Sequence, residues 1–312
     1  MTLHPQAAAF LDLMAAANLP DMITAGPTVA RKYSHDLSNV SNDSDPSVDI
    51  RIEFFTSSTA DVAVAIYTPS AASQEKRAGL VYFHGGGWVL NYITKYHAQL
   101  AAMAKKTNSI IVSVNYQKAP EHKFPIPFND CYEGLEWTVA NADRLGIDLA
   151  RLGVGGDSAG GNLACAVALA ARDRGVIKLA YQWLVYPCNG PEFVDNPDVP
   201  NAEGYGLTQP RMKWLWEMYL NGDADRANPY AAPHSAPSLA GLPPTIMITA
   251  EYDVLRPDGI AYYEKLKAAG NKVLYKDCPG MIHGFFSLGR VIDDGIAIQD
   301  WFAENILKIV GK

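Results

Sequence analysis

Ser158 stands in the pentapeptide Gly156-Asp157-Ser158-Ala159-Gly160, between the apolar run LGVGG and a stretch of helical spacing. A serine hydroxyl is a weak nucleophile until its setting activates it. At a sharp strand-to-helix turn flanked by glycines the hydroxyl is pushed out above the sheet, and the helix N-terminus behind it favours developing negative charge. The pentapeptide alone is a common pattern, and the strand-turn-helix setting is what gives it weight. A second run, His84-Gly85-Gly86-Gly87-Trp88, follows directly on the apolar GLVYF. Three successive glycines cost chain entropy, which is explained if backbone amides must approach a bound group. The N–H groups of Gly85 and Gly86, joined by that of Ala159, are the candidate donors around the oxygen of a tetrahedral intermediate. No GK[ST] follows the triplet, which argues against a phosphate loop.

A nucleophilic serine needs a base, and the base needs an orienting carboxylate. His283, in MIHGFF, follows the last strand pattern within a Gly280 to Gly284 loop and is the candidate base. Asp253, just beyond TIMITA, is the candidate acid; Glu251, two positions earlier, is expected to be pinned into the core edge, and Asp258 is the third choice. His84 is expected to hold the glycine loop in place. His4, His35, His97 and His234 lie in polar or terminal contexts and read as surface residues. Asp157 is counted among the groups at the pocket, with its carboxylate expected to point away and fix the elbow or a neighbouring loop by hydrogen bonds.

The elements around these residues alternate. Runs at 48–56 and 61–67 read as two strands without a helix between them, which suggests an antiparallel edge. GLVYF, SIIVSV, LGVGG, AYQWLVYP, TIMITA and KVLYK read as further strands. Helical spacing separates most of them: Tyr96, Leu100 and Met103; Cys131, Leu135 and Val139; Leu163, Val167 and Ala170; Tyr263 and Leu266; then Ile298, Phe302, Ile306 and Ile309 at the end. The fold class is therefore α/β, a mostly parallel eight-stranded sheet with helices on both faces. Two stretches break the rhythm. Residues 21–47 are polar and read as a solvated loop after a short amphipathic helix carrying Phe10, Leu13 and Met14. Residues 188–232 show no strand, but Thr208, Pro210, Met212, Leu215, Trp216 and Tyr219 describe a capped helix that lies either over the carboxyl edge of the sheet or against the side of the core.

At 312 residues the chain can bury a large core without disulfides or metal. A formal charge of -7 argues against a nucleic-acid partner, and 48% hydrophobic with 19% charged residues fits a globular enzyme. Cys131, Cys165, Cys188 and Cys278 are too widely spaced for a zinc knuckle or a redox CxxC. No cofactor, metal or membrane is implied, since no run approaches eighteen apolar residues, and the N-terminus lacks an export signal, which makes the cytoplasm the expected location.

Several longer motifs occur in a fixed order: HGGGW at His84 to Trp88, YQKAPEHKFP at Tyr116 to Pro125 with Asp130 behind it, GDSAGGNLA at Gly156 to Ala164, NAEGYGLT at Asn201 to Thr208, AEYDVLRPDG at Ala250 to Gly259 and HGF at His283 to Phe285. On these the chain resembles the hormone-sensitive lipase family of bacterial esterases (family IV, GDSAG type) of the α/β-hydrolase superfamily, over almost its whole length. The resemblance implies a triad of Ser158, Asp253 and His283, and an oxyanion hole of Gly85, Gly86 and Ala159. It also implies a helical cap from residues 1–45 and 188–235 over a core of 46–187 and 236–312, with Glu121 and His122 as a hydrogen-bonding brace near the glycine loop. Trp88, Val254 and Pro257 depart from the usual pattern without removing a catalytic group.

The implied activity is a serine carboxylesterase acting on a small-molecule ester of short to medium acyl length. Amide or carbamate hydrolysis by the same groups is the alternative, and a non-catalytic receptor on the same scaffold is disfavoured because His283 is present. Trp88, Tyr205, Trp214 and Phe285 are candidates to line the pocket beside Asp157, although Trp214 and Trp216 read equally as core. Related esterases often dimerise through the last strand or its adjacent helix, so a homodimer through Val273 to Lys276, or through that helix, is an expectation.

Overall fold

A computed structural model describes residues 2–36, 45–71, 73 and 75–311, without the side chains of residues 35 and 36. Most of the polar run at 38–47 and the side chain of His35 therefore lie outside the described residues. One eight-stranded sheet, ordered β1-β2-β4-β3-β5-β6-β7-β8, organises the chain. Its strands are β1 (Val48–Thr56), β2 (Asp61–Pro69), β3 (Arg77–Phe83), β4 (Ile110–Val114), β5 (Ile147–Asp157), β6 (Tyr181–Val185), β7 (Thr245–Tyr252) and β8 (Val273–Ile282). β2 pairs antiparallel with β1 and with β4, and every other neighbour is parallel.

The two-residue period of the central strands divides the core into two layers. Val81 and Phe83 of β3 face one layer, with α4 (Ile126–Ala140), α6 (Ala159–Arg174) and α10 (Arg256–Ala268). Leu80 and Tyr82 face the other, with α3 (His97–Thr107) and α11 (Asp293–Val310). Short helices α5 (Ala142–Leu145), α7 (Pro191–Asp195) and α9 (Asp223–Arg226) fill connections.

The irregular stretches contain helix. α1 (Pro5–Ala16) forms as its apolar spacing suggests, and its lead-in is tied to the end of β8 by a His4 N–H bond to the Gly280 carbonyl at 3.0 Å. α2 (Met22–Asp36) occupies residues that read as loop; it bends at Gly26, whose φ of +78° precedes Pro27. Its polar side chains find tertiary partners, which overrides the weak local signal. α8 (Gln209–Tyr219) is capped by the Thr208 hydroxyl, which accepts the Arg211 N–H at 3.4 Å. This helix lies at the carboxyl end of β3: Leu215 fills the space where a Gly87 side chain would go, and Trp216 and Tyr219 pack on Trp88.

Candidate active site

β5 ends at Asp157 and α6 begins at Ala159, leaving Ser158 between them with φ +55° and ψ −122°. A non-glycine residue held in that region stores strain, here forced by a crossing so tight that a side chain on Gly160 would overlap the Phe83 carbonyl. β7 and β8 bring the partners together. Tyr252 and Ile282 face each other across the β7–β8 ladder, so the next residue of each strand, Asp253 and His283, emerges beside the other.

The three side chains form one hydrogen-bonded line. His283 Nε2 is 3.0 Å from Ser158 Oγ, and His283 Nδ1 is 2.6 Å from Asp253 Oδ2. Asp253 is buried, and its Oδ1 accepts the Leu255 N–H at 2.9 Å, which fixes the carboxylate plane. Glu251 points elsewhere: its Oε2 accepts the Gly280 N–H at 2.7 Å and so steadies the loop carrying His283. Asp258 also points away, accepting the N–H groups of Asn189 and Gly190 at 2.6 and 3.0 Å and lying 3.0 Å from His234 Nε2.

The glycine loop requires a correction. The Gly85 N–H donates to Asp157 Oδ1 at 2.9 Å and is therefore spent within the protein. Those of Gly86, Gly87 and Ala159 donate to no acceptor among the described residues. Gly86 and Gly87 adopt φ of +116° and +59°, the left-handed region that glycine enters without a side-chain clash. Asp157 also accepts from the hydroxyls of Tyr82 and Tyr96, at 2.7 and 3.1 Å, so it is a buried brace and not part of a pocket wall. Burial pushes its carboxyl up, against the opposing pull of those three donors. His84 is fully buried, stacks on Tyr116 at 4.4 Å and places Nδ1 2.8 Å from the Gly85 carbonyl. Burial holds its pKa down to about 3, which keeps the ring neutral and structural.

Other expectations also shift. Trp88 is fully buried, stacked on Tyr219 at 4.4 Å, with its indole N–H on Asn162 Oδ1 at 3.3 Å, so it is core and not a pocket wall. Trp214 and Phe285 are likewise buried in the core clusters, and Tyr205 is half-buried against Tyr252 at 4.9 Å. Glu121 pairs with Arg31 and not with its neighbour His122, and that guanidinium holds its carboxyl down to about 2. His234 is largely buried in its pair with Asp258, and His97 meets the Tyr67 hydroxyl at 2.8 Å; neither is a simple surface histidine. A cavity of about 520 Å³ opens between α1, α2 and residues 204–211, with Leu11, Met14, Met22, Tyr33 and Leu90 on its walls. Leu90 lies three residues past Gly87. No sequence pattern marks this lining, because it comes from α1, α2 and the segment leading into α8, which only the fold brings together.

Among the described residues no cluster of three or more His, Cys, Asp or Glu side chains suited to a metal ion occurs, and no helix is long and apolar enough to cross a membrane.

Residues 80–287 match the alpha/beta hydrolase fold family. Carboxylesterase NlhH of Mycobacterium tuberculosis is 36% identical over 237 residues, covering 74% of this chain and 73% of its own. The arylesterase of Saccharolobus solfataricus is 32% identical over 292 residues, covering 93% and 94%. Among solved structures, ester-hydrolase EH1AB1 from the metagenome of Lake Arreo superposes with a TM-score of 0.93 at 34% identity, covering both chains completely.

Proposed function

The chain belongs to the alpha/beta hydrolase fold family and is a serine-hydrolase-type carboxylesterase, and from that premise we propose how its own residues act and on which esters. Ser158 is the nucleophile, His283 the general base and acid, and Asp253 the carboxylate that orients the imidazole. The observation that carries this reading is the continuous line from Ser158 Oγ through His283 to Asp253, at 3.0 and 2.6 Å.

His283 Nε2 takes the hydroxyl proton as Ser158 Oγ attacks the ester carbonyl carbon. Asp253 keeps Nδ1 protonated and stabilises the imidazolium that forms. The carbonyl oxygen gains negative charge within reach of the Gly86, Gly87 and Ala159 amides, which replace the expected set containing Gly85. The tetrahedral adduct collapses as His283 returns its proton to the departing alcohol. Water, deprotonated by His283, then attacks the acyl-enzyme, and Ser158 leaves with that proton.

The substrates of this reading are short- to medium-chain acyl esters. The N-terminal helices and α8 act as a cap, supported by the packing of α8 on the glycine loop and by the mostly apolar cavity of about 520 Å³ beside α2. Assignment to the hormone-sensitive lipase group of bacterial esterases rests on the GDSAG and HGGGW runs. A cytoplasmic location is supported by four cysteines that are all free and buried. A homodimer through β8 is the matching proposal for assembly, supported by that strand's position at the sheet edge.

The test is hydrolysis of p-nitrophenyl esters from acetate to palmitate, with Ser158→Ala alongside. A short-chain optimum lost in the variant supports the reading. A long-chain optimum overturns the substrate class, and turnover independent of Ser158 overturns the site.

A further inference from the structure

Four hydrogen bonds leave the guanidinium of Arg31. Nε donates to the Val89 carbonyl at 2.8 Å, Nη2 to the Ala119 carbonyl at 2.8 Å, and Nη1 and Nη2 to the two Glu121 oxygens at 2.8 and 2.6 Å. The first two acceptors belong to the framework of the glycine loop. The Val89 N–H closes back onto the Gly86 carbonyl at 3.1 Å, joined there by the Leu90 N–H at 2.8 Å, and the Ala119 N–H donates to the Trp88 carbonyl at 3.0 Å. Arg31 thus bonds to the carbonyl of a residue that itself closes the turn at Gly86. The side chain is only 17% exposed, so water competes poorly for these carbonyls.

A second grip lies one turn along the same face of α2. The Ser34 hydroxyl bonds to Asn91 Oδ1, which also accepts from Lys95 Nζ at 3.0 Å. Asn91 Nδ2 is 3.1 Å from the Gly85 carbonyl and 3.2 Å from the Tyr96 hydroxyl, and that hydroxyl reaches Asp157. Helix α2 therefore holds the loop on both sides of Gly86 and Gly87.

We propose that Arg31 is a positioning residue for ester hydrolysis: by clamping Val89 and Ala119 it sets where the Gly86 and Gly87 amides point. This rests on the oxyanion role given to those amides above. A residue that merely walls the pocket changes substrate binding, whereas one that aims oxyanion donors changes the chemical step, because the donors matter most once charge has developed. Lysine cannot stand in, since a single ammonium lacks the planar fork that reaches two carbonyls and a carboxylate together.

The experiment compares steady-state kinetics on p-nitrophenyl acetate and butyrate for the native chain, Arg31→Ala, Arg31→Lys and Ser158→Ala, with near-UV circular dichroism of each. The expected result is a kcat about 10- to 100-fold lower in both Arg31 variants, the scale of a small misplacement of catalytic groups. KM changes less than about twofold, and millimolar guanidinium raises kcat in Arg31→Ala alone. Native kcat in both Arg31 variants, with or without a raised KM, overturns the proposal while Ser158→Ala remains inactive. A fall in kcat that guanidinium leaves untouched also overturns it. Retained activity in Ser158→Ala overturns the site assignment, and this proposal with it.

Discussion

Asp157 Oδ1 receives the Gly85 N–H at 2.9 Å, joining the residue before the nucleophile to the first glycine of the loop across 72 positions of sequence. Two loops that must be in register for acyl transfer are thereby bonded directly to each other. The same carboxylate takes the Tyr82 and Tyr96 hydroxyls, so three buried donors share this one acceptor group.

Replacing Asp157 with alanine leaves three donors without this acceptor, each costing about 1–3 kcal/mol when left unsatisfied in a buried site. Asp157→Ala is expected to unfold at lower denaturant than the native chain and to lose kcat as the loop drifts. Equilibrium denaturation and ester hydrolysis on the same preparations check both; native stability would mean that the brace is dispensable.

Asp253→Asn tests the orienting carboxylate. The Leu255 N–H still holds one side-chain oxygen, but the amide favours the wrong imidazole tautomer, and kcat is expected to fall by about 10⁴. Ester turnover of the purified variant measures it. A loss of less than tenfold would return Glu251 to consideration.

Trp88→Ala separates core from pocket. Removing a buried indole stacked on Tyr219 is expected to destabilise the chain by roughly 3–5 kcal/mol, while the KM for acetate esters in the folded fraction stays near native. A large KM change without loss of stability would restore Trp88 to the pocket.

The His234–Asp258 pair predicts a pH effect on stability. Burial by itself would lower the His234 pKa, but the Asp258 carboxylate overrides it and leaves it raised above 6.5. A raised folded-state value means that the stabilisation is fully present below the unfolded pKa of about 6.5 and is lost as pH rises through the folded value. The stability difference between the native chain and His234→Gln should therefore be larger at about pH 6 than at about pH 9. Denaturant midpoints at the two values read it directly; an equal or inverted difference removes the ion pair from the account.

Much of this protein was legible along the chain. The apolar/polar alternation predicts β1 over Val48–Thr56 and the strand occupies those residues, because alternation on a half-exposed edge strand is a local signal. The serine turn and the triglycine run declare themselves through local backbone demands, and strand ends mark where Asp253 and His283 emerge. What the sequence could not carry were directions and distant partners. Which glycine amides remain free depends on where Asp157 points and on the positive φ of Gly86 and Gly87. Trp88 turned into the core because α8 supplies Trp216 and Tyr219 to receive it. Helix α2 reads as loop because its polar face finds its partners far along the chain: Arg31 on the Val89 and Ala119 carbonyls, 58 and 88 positions on, and on the Glu121 carboxylate, and Ser34 on Asn91. Local patterns encode period and turn chemistry; the aim of a hydrogen-bond donor is decided only when every competing acceptor is in place.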